Sequence, residues 1–243
     1  VQANRQTLGD AVHTASGLTM TFIDAQREVE LSVEGTIPAK YADSALLLDV
    51  GSGNTKGGCR AGPGCVAMSV PYGSVTFADL IKTRSEKTAF ADEAPVLREE
   101  VLAPALKNAL ADKPELAKRE RVYLSGGAVW ALATLVRPGD RGDYVALTPE
   151  DIDSYRALLR KDPGAFPAPD LSGIADAATR EAAEKEIARV KTVFKPEQLL
   201  AGAELVKALS DEVGFGKDKK VFFARDAQVG WILAYIVEKV GPK

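Results

Sequence analysis

The strongest constraint on this chain is the segment Leu46-Leu47-Leu48-Asp49-Val50-Gly51-Ser52-Gly53-Asn54-Thr55. Its apolar run is continuous rather than alternating, which suits a strand covered on both faces. The run ends in one Asp and then enters a loop of Gly, Ser, Asn and Thr. Gly51 and Gly53 open backbone conformations closed to other residues and allow a ligand to approach the main chain. Ser52, Asn54 and Thr55 set short polar side chains beside the exposed amides. Such a turn can wrap an anion, and Asp49 at the strand end can hold a metal ion or a water beside it. The same residues also suit a strand-to-strand turn in which Asp49 only satisfies backbone donors. The local pattern leaves both readings open.

Composition narrows the setting. The chain has 243 residues, 46% hydrophobic and 27% charged, ordinary for a globular protein of one large or two small domains. A net charge of −3 argues against a nucleic-acid duplex as partner. No apolar run approaches the roughly 20 residues of a membrane span. The sequence starts at Val1, without Met or a signal-like segment, and so reads as a processed or excised product. Its one histidine, His13, lies on a helical surface stretch, which leaves little room for His-dependent catalysis and none for a His-rich zinc site. Cys59 and Cys65 flank the turn-rich Arg60-Ala61-Gly62-Pro63-Gly64. Two reduced thiols in a cytoplasmic protein are the default. A hairpin there would instead allow a disulfide, with a periplasmic or secreted location.

Along the chain, residues 5–17 read as a helix closed by Gly17, and residues 18–23 alternate like a short strand. Asp24 is placed to cap a helix over 24–34, with Val29, Leu31 and Val33 among its apolar positions. Residues 45–77 read as a meander of hairpins leading toward a helix. Helical periods follow at 77–84 and 93–110. A strand at 121–124 feeds Ser125-Gly126-Gly127, and a helix resumes at 128–136. Thr148-Pro149-Glu150-Asp151 is a strong helix start. Residues 161–172 read as a loop, 174–190 and 196–209 as helices, 221–223 as a last strand and 229–240 as a closing helix. The pattern is that of an α/β layered domain without tandem repeats.

The loop Asp49-Val50-Gly51-Ser52-Gly53-Asn54-Thr55 resembles the second phosphate loop of the exopolyphosphatase/guanosine pentaphosphate phosphohydrolase (Ppx/GppA) family, within the actin, Hsp70 and sugar kinase superfamily. That loop usually reads Asp-Ile-Gly-Gly-Gly-Ser-Thr-Glu. The neighbouring segments are similar to family segments in the same order. Ser16-Gly17-Leu18-Thr19-Met20-Thr21-Phe22-Ile23 is similar to a short strand before the Ser-Gly-x-Glu-Glu-Ala segment, and Glu28 lies where that segment keeps a glutamate. Met68-Ser69-Val70-Pro71-Tyr72-Gly73-Ser74-Val75 resembles a Leu-Pro-x-Gly-x-Val turn, and Leu124-Ser125-Gly126-Gly127-Ala128 resembles the Gly-Gly loop on the nucleotide side. Leu147 to Asp151 and Phe194 to Gly202 match two further helices.

The resemblance implies a ribonuclease-H-like lobe, a mixed β-sheet with flanking helices, of the actin-like ATPase fold. Residues 1–23 would end a first lobe or its connection, and residues 24–243 would form the second lobe. It also implies hydrolysis of the terminal phosphoanhydride of inorganic polyphosphate or guanosine pentaphosphate with Mg2+, by a chain without membrane attachment and with room for a homodimer. On that pattern Glu28 is the catalytic carboxylate and Asp49 the metal ligand. Gly51, Ser52, Gly53, Asn54, Thr55, Gly126 and Gly127 bind phosphate, and Lys56, a departure from that pattern, joins them as a point charge. Glu28 also reads as an ordinary solvated helix residue, and Gly126-Gly127 as a plain strand-to-helix turn.

Three departures stand out. Lys56 replaces the glutamate that closes the family loop, and Gln26 and Arg27 replace acids before Glu28. The terminal Gly-x-x-Arg-Glu-Gly segment is reduced to Asp226-Ala227-Gln228-Val229-Gly230. A lysine cannot do the chemistry of the lost acid, although it can bind phosphate as a point charge. A phosphate- or nucleotide-binding relative with impaired catalysis is therefore the alternative. Lys185, Arg189, Lys191 and Lys195 could line a basic channel for a polyanion, but they read more simply as a solvated helix face.

Overall fold

The computed structural model describes residues 4–85 and 88–241. Its frame is a six-stranded mixed sheet of order β3-β2-β1-β4-β6-β5. Strand β1 (Ala45–Val50) lies near the middle, antiparallel to β2 (Thr55–Ala61) and parallel to β4 (Arg121–Ser125). β3 (Gly64–Val70) closes the meander on one side. On the other, β6 (Lys220–Ala224) runs parallel to β4, and β5 (Tyr144–Leu147) adds an antiparallel edge. This is the mixed sheet with flanking helices expected of a ribonuclease-H-like lobe.

The continuous apolar run is explained by burial on both faces. Leu46, Leu48 and Val50 enter the main core, while Ala45 and Leu47 enter a second cluster with Val29, Val33 and Tyr123. Helix α1 (Arg5–Ser16) ends at Gly17 in the left-handed region, as its sequence predicts. Helix α2 (Ala25–Thr36) covers the second face, and the Asp24 carboxylate accepts the Arg27 amide at 2.7 Å.

The main core is covered by α3 (Ser74–Arg84), α4 (Phe90–Leu97), α5 (Ala103–Ala111), the single turn α6 (Pro114–Ala117), α7 (Gly127–Val136), α8 (Pro149–Lys161), α9 (Ala177–Val193) and α10 (Pro196–Val213). Thr148 and Asp151 form the expected capping box at the start of α8. Helix α10 runs through the core, and its Glu204 is fully buried. That carboxylate accepts hydrogen bonds from Arg98 at 2.9 Å and Arg156 at 3.1 Å. The closing helix α11 (Ala227–Val240) packs against α2 at two glycines. A Cβ on Gly35 would lie 2.0 Å from the Gly230 carbonyl oxygen, so the two backbones touch there.

Three sequence expectations change. Residues 18–23 form no strand: they have no ladder partner among the described residues, and Leu18 is 68% exposed. The helix expected over 93–110 is split by a π-turn at Arg98–Leu102, where the Ala103 amide bonds back to Arg98. Edge strand β5 went unassigned, although its exposed–buried alternation is present in Tyr144-Val145-Ala146-Leu147.

The Cys59–Cys65 disulfide is excluded by register. Cys59 pairs with Val66 and Arg60 with Cys65, so the two thiols stand on opposite faces of the hairpin. Both cysteines are free, and burial together with nearby Cys59 pushes the Cys65 thiol up to about 11. Among the described residues, no helix is long and apolar enough to cross a membrane.

Three stability measurements follow from the packing. Gly35→Ala is expected to lower the urea-unfolding free energy by about 1–3 kcal/mol through backbone overpacking. Gly9→Ala meets only the Phe22 ring at 3.7 Å, and should instead raise stability by up to about 1 kcal/mol. Glu204→Ala strips the carboxylate from two inward guanidinium groups and should cost about 3–5 kcal/mol in the same assay.

Candidate functional site

The site is assembled by register. Asp49 lies directly opposite Lys56 on β2 and directly beside Ser125 on β4. Because side chains alternate across a sheet, these three residues form a row on the face that α2 covers. The α2 N-terminus is fixed to that face by its Asp24 cap and by the Gln26 side chain, which donates to the Cys65 carbonyl at 3.0 Å. Glu28, in the first turn of α2, is thereby brought over the row.

The row is tightly connected. The Ser125 hydroxyl donates to Asp49 Oδ1 at 2.7 Å. The Lys56 ammonium is hydrogen-bonded to Glu28 Oε1 and lies 3.7 Å from Asp49 Oδ2. Its side chain is only 14% exposed. The sequence assigned Glu28, Asp49 and Lys56 to three separate roles; the fold brings them together as one ion-paired group.

The Gly-rich loop lies at the C-terminal end of β1 and is clamped to the start of α3. The Gly51 carbonyl accepts the Ser74 amide, and the Ser52 carbonyl accepts those of Val75 and Thr76. The Thr76 hydroxyl donates to the Gly53 carbonyl at 3.1 Å. Gly73 is required by this approach, since a Cβ there would lie 2.5 Å from the Gly51 and Ser52 carbonyl oxygens.

The clamp redistributes the expected roles. The Gly51 amide already donates to the Asn54 carbonyl at 3.0 Å. Thr55 is fully buried and its hydroxyl donates to the Tyr72 carbonyl at 2.8 Å. These two residues hold the loop together rather than present donors to a ligand. Ser52 and Gly53 are exposed and Asn54 is partly so, and their three amides donate to no backbone carbonyl among the described residues.

The second glycine pair sits alongside. Gly126 has φ +96°, and a Cβ on it would lie 2.2 Å from the Val50 carbonyl oxygen and 2.9 Å from Asp49 Oδ1. Only glycine lets the end of β4 pass this close to the end of β1. The first intrahelical bond of α7 runs from Trp130 to Gly126, so the amides of Gly127, Ala128 and Val129 are unpaired within the helix. These amides and the helix dipole make the start of α7 favourable to anions. Phe194, at the end of α9, rests against Gly127, with its ring about 3 Å from where a Cβ would stand. The sequence did not single out this aromatic neighbour. The loop amides and the start of α7 thus both lie at the carboxyl ends of the adjacent parallel strands β1 and β4, the usual place for ligands in open α/β sheets.

Of the basic residues considered for a polyanion channel, Lys185, Arg189 and Lys191 are spread along the solvated α9, and Lys195 stands beyond it at the N-cap of α10. Lys185 pairs with Glu181, Arg189 pairs with Glu186, and Lys191 lies over the Phe166 ring. His13 is exposed on α1.

A divalent cation at Asp49 does not fit these side chains. Magnesium takes oxygen ligands in near-octahedral geometry. Here an ammonium stands between the two carboxylates, and one oxygen of Asp49 is engaged by Ser125. Among the described residues no group of three or more His, Cys, Asp or Glu could hold a metal ion.

No protein-family model matches the chain, and no curated protein is significantly similar to it. Solved structures are. The Aquifex aeolicus member of the Ppx/GppA family superposes over 99% of this chain and 71% of its own, with a TM-score of 0.65 at 16% identity. An exopolyphosphatase from Cytophaga hutchinsonii matches over 98% of this chain and 72% of its own, with a TM-score of 0.61 at 15% identity. An exopolyphosphatase-like protein matches with a TM-score of 0.60 at 17% identity, over 98% of this chain and 74% of its own. The chain therefore has the fold of the Ppx/GppA structures.

Proposed function

We propose that this chain is a Ppx/GppA-like phosphohydrolase that binds the end of a phosphoanhydride chain, inorganic polyphosphate or guanosine pentaphosphate, and releases its terminal phosphate. One observation carries the reading: the amides of Ser52–Asn54 and of Gly127–Val129, without backbone partners among the described residues, lie at the ends of adjacent strands β1 and β4, whose end residues include Asp49, bonded into one group with Glu28 and Lys56. The shared fold supports it, since the similar structures are described as Ppx/GppA and exopolyphosphatase proteins.

Phosphoryl transfer needs positioning and charge stabilisation more than covalent help from the protein. In this reading the two amide groups bind the non-bridging oxygens of the terminal phosphate. A water attacks phosphorus on the side of α2. The new P–O bond forms as the bridging P–O bond breaks, and the bridging oxygen leaves with its electron pair. Only Oε1 of Glu28 is engaged by Lys56, so Oε2 is left to take the proton from the water. Lys56 adds a positive charge next to the transferred group.

The pairing of Glu28 with Lys56 favours one second reading, that of a binding protein without turnover. A carboxylate already neutralised by an ammonium is a weaker acceptor for the water proton, and the phosphate cradle does not depend on it.

Phosphate release from polyphosphate and from guanosine pentaphosphate, measured with the full-length gene product, separates these readings. The hydrolase reading predicts release that Glu28→Gln lowers by about 100-fold or more. Release unchanged in Glu28→Gln would refute Glu28 as the base. Tight calorimetric binding without release would establish the second reading.

A further inference from the structure

We infer that the Lys56 ammonium takes the place of a divalent cation at this site, so that phosphoanhydride binding by this chain requires no metal. The inference rests on the reading of Ser52–Asn54 and α7 as a phosphate cradle, but its central observation is independent of that reading. The ammonium stands where two carboxylates converge, bonded to Glu28 and 3.7 Å from Asp49.

Each partner is held there by the backbone. The antiparallel register sets Lys56 opposite Asp49, and the α2 cap brings Glu28 over it. The Ser125 hydroxyl fixes Asp49 from the other side at 2.7 Å. The lysine is mostly shielded from solvent, at 14% exposure, so it is part of the packed site rather than a freely moving surface charge.

The chemistry matches the duty of a cation. Glu28 and Asp49 without Lys56 would leave two negative charges beside a site that must accept a phosphate anion. With Lys56 the group carries one. An ammonium has three hydrogens, and Glu28 takes one of them. At 3.7 Å Asp49 attracts the ammonium without a close hydrogen bond, so donors remain for a phosphate oxygen. A divalent ion in the same space would have to displace the ammonium from both carboxylates.

Two measurements on the full chain test this. The first is calorimetric titration with tripolyphosphate in EDTA and, separately, in magnesium. Wild-type affinity is expected to be the same within about twofold in both buffers. Lys56→Met, of similar size without charge, is expected to lose about tenfold or more in EDTA, the value of one charged hydrogen bond. The second is Mn2+ uptake followed by electron paramagnetic resonance. Wild type is expected to bind no Mn2+ at this site. Lys56→Glu should gain one bound ion, and the Lys56→Glu/Asp49→Asn double variant should lose it.

One Mn2+ bound by the wild type and abolished by Asp49→Asn would overturn the inference, as would tripolyphosphate binding that disappears in EDTA. If tripolyphosphate binds in neither buffer, the phosphate-cradle reading fails, and the Mn2+ titration still decides the role of Lys56. Circular dichroism of each variant shows that the fold is retained.

Discussion

The antiparallel pairing of β1 with β2 is the interaction on which the rest of this protein depends. β1 is buried on both faces, and its neighbours on either side fix it in the sheet. That position aligns Asp49 with Lys56 across one strand gap and with Ser125 across the other. A slip of one residue would turn Asp49 into the main core and bring Val50 to the α2 face. The apolar alternation of Leu46, Leu48 and Val50 against Ala45 and Leu47 forbids it, because each set fills a different core cluster. The chemistry of the site is thus fixed by hydrophobic packing that takes no part in it.

The same pairing forces a short connection between β1 and β2, and that connection becomes the Gly-rich loop. The loop is stabilised from outside, by the first turn of α3. The helix gives its unpaired amides to the carbonyls of Gly51 and Ser52, which leaves the amides of Ser52, Gly53 and Asn54 without internal partners. α7 offers the complementary arrangement, with its own first amides unpaired. The close passage of Gly126 over Val50 sets the start of α7 beside the end of β1, from which the loop departs. The proposed anion-binding surface rests on two helix starts used in opposite ways, one satisfied by the loop and one left open.

Much of this could be read from the residues. The unbroken apolarity before Asp49 marked the buried strand, and Asp24 and Thr148 announced helix starts that the structure keeps. The alternation of residues 18–23 misled, because a two-residue period makes a strand only where a neighbour supplies hydrogen bonds. Tyr144–Leu147 carried a valid period but was too short to stand out beside the helix start at Thr148. The π-turn at Arg98–Leu102 left no periodic trace, since one residue inserted into a helix shifts the pattern only slightly. The least legible feature was the most consequential. Lys56 and Glu28 are 28 positions apart, and their pairing depends on strand register and helix placement together. Sequence spacing could name both residues but not join them. The roles of Gly51 and Thr55 were hidden for the same reason, because their polar groups are consumed by contacts across the fold.

The central claim is that the surface between the two strand ends receives phosphate. Amide chemical shifts followed by nuclear magnetic resonance during a tripolyphosphate titration test it most directly. The account predicts that the largest shifts fall on Ser52, Gly53, Asn54, Gly127, Ala128 and Val129 and saturate together at one affinity. Shifts confined to Lys185, Arg189 and Lys191 on α9 and to Lys195 beyond it, or no saturable shift at either amide group, would contradict it.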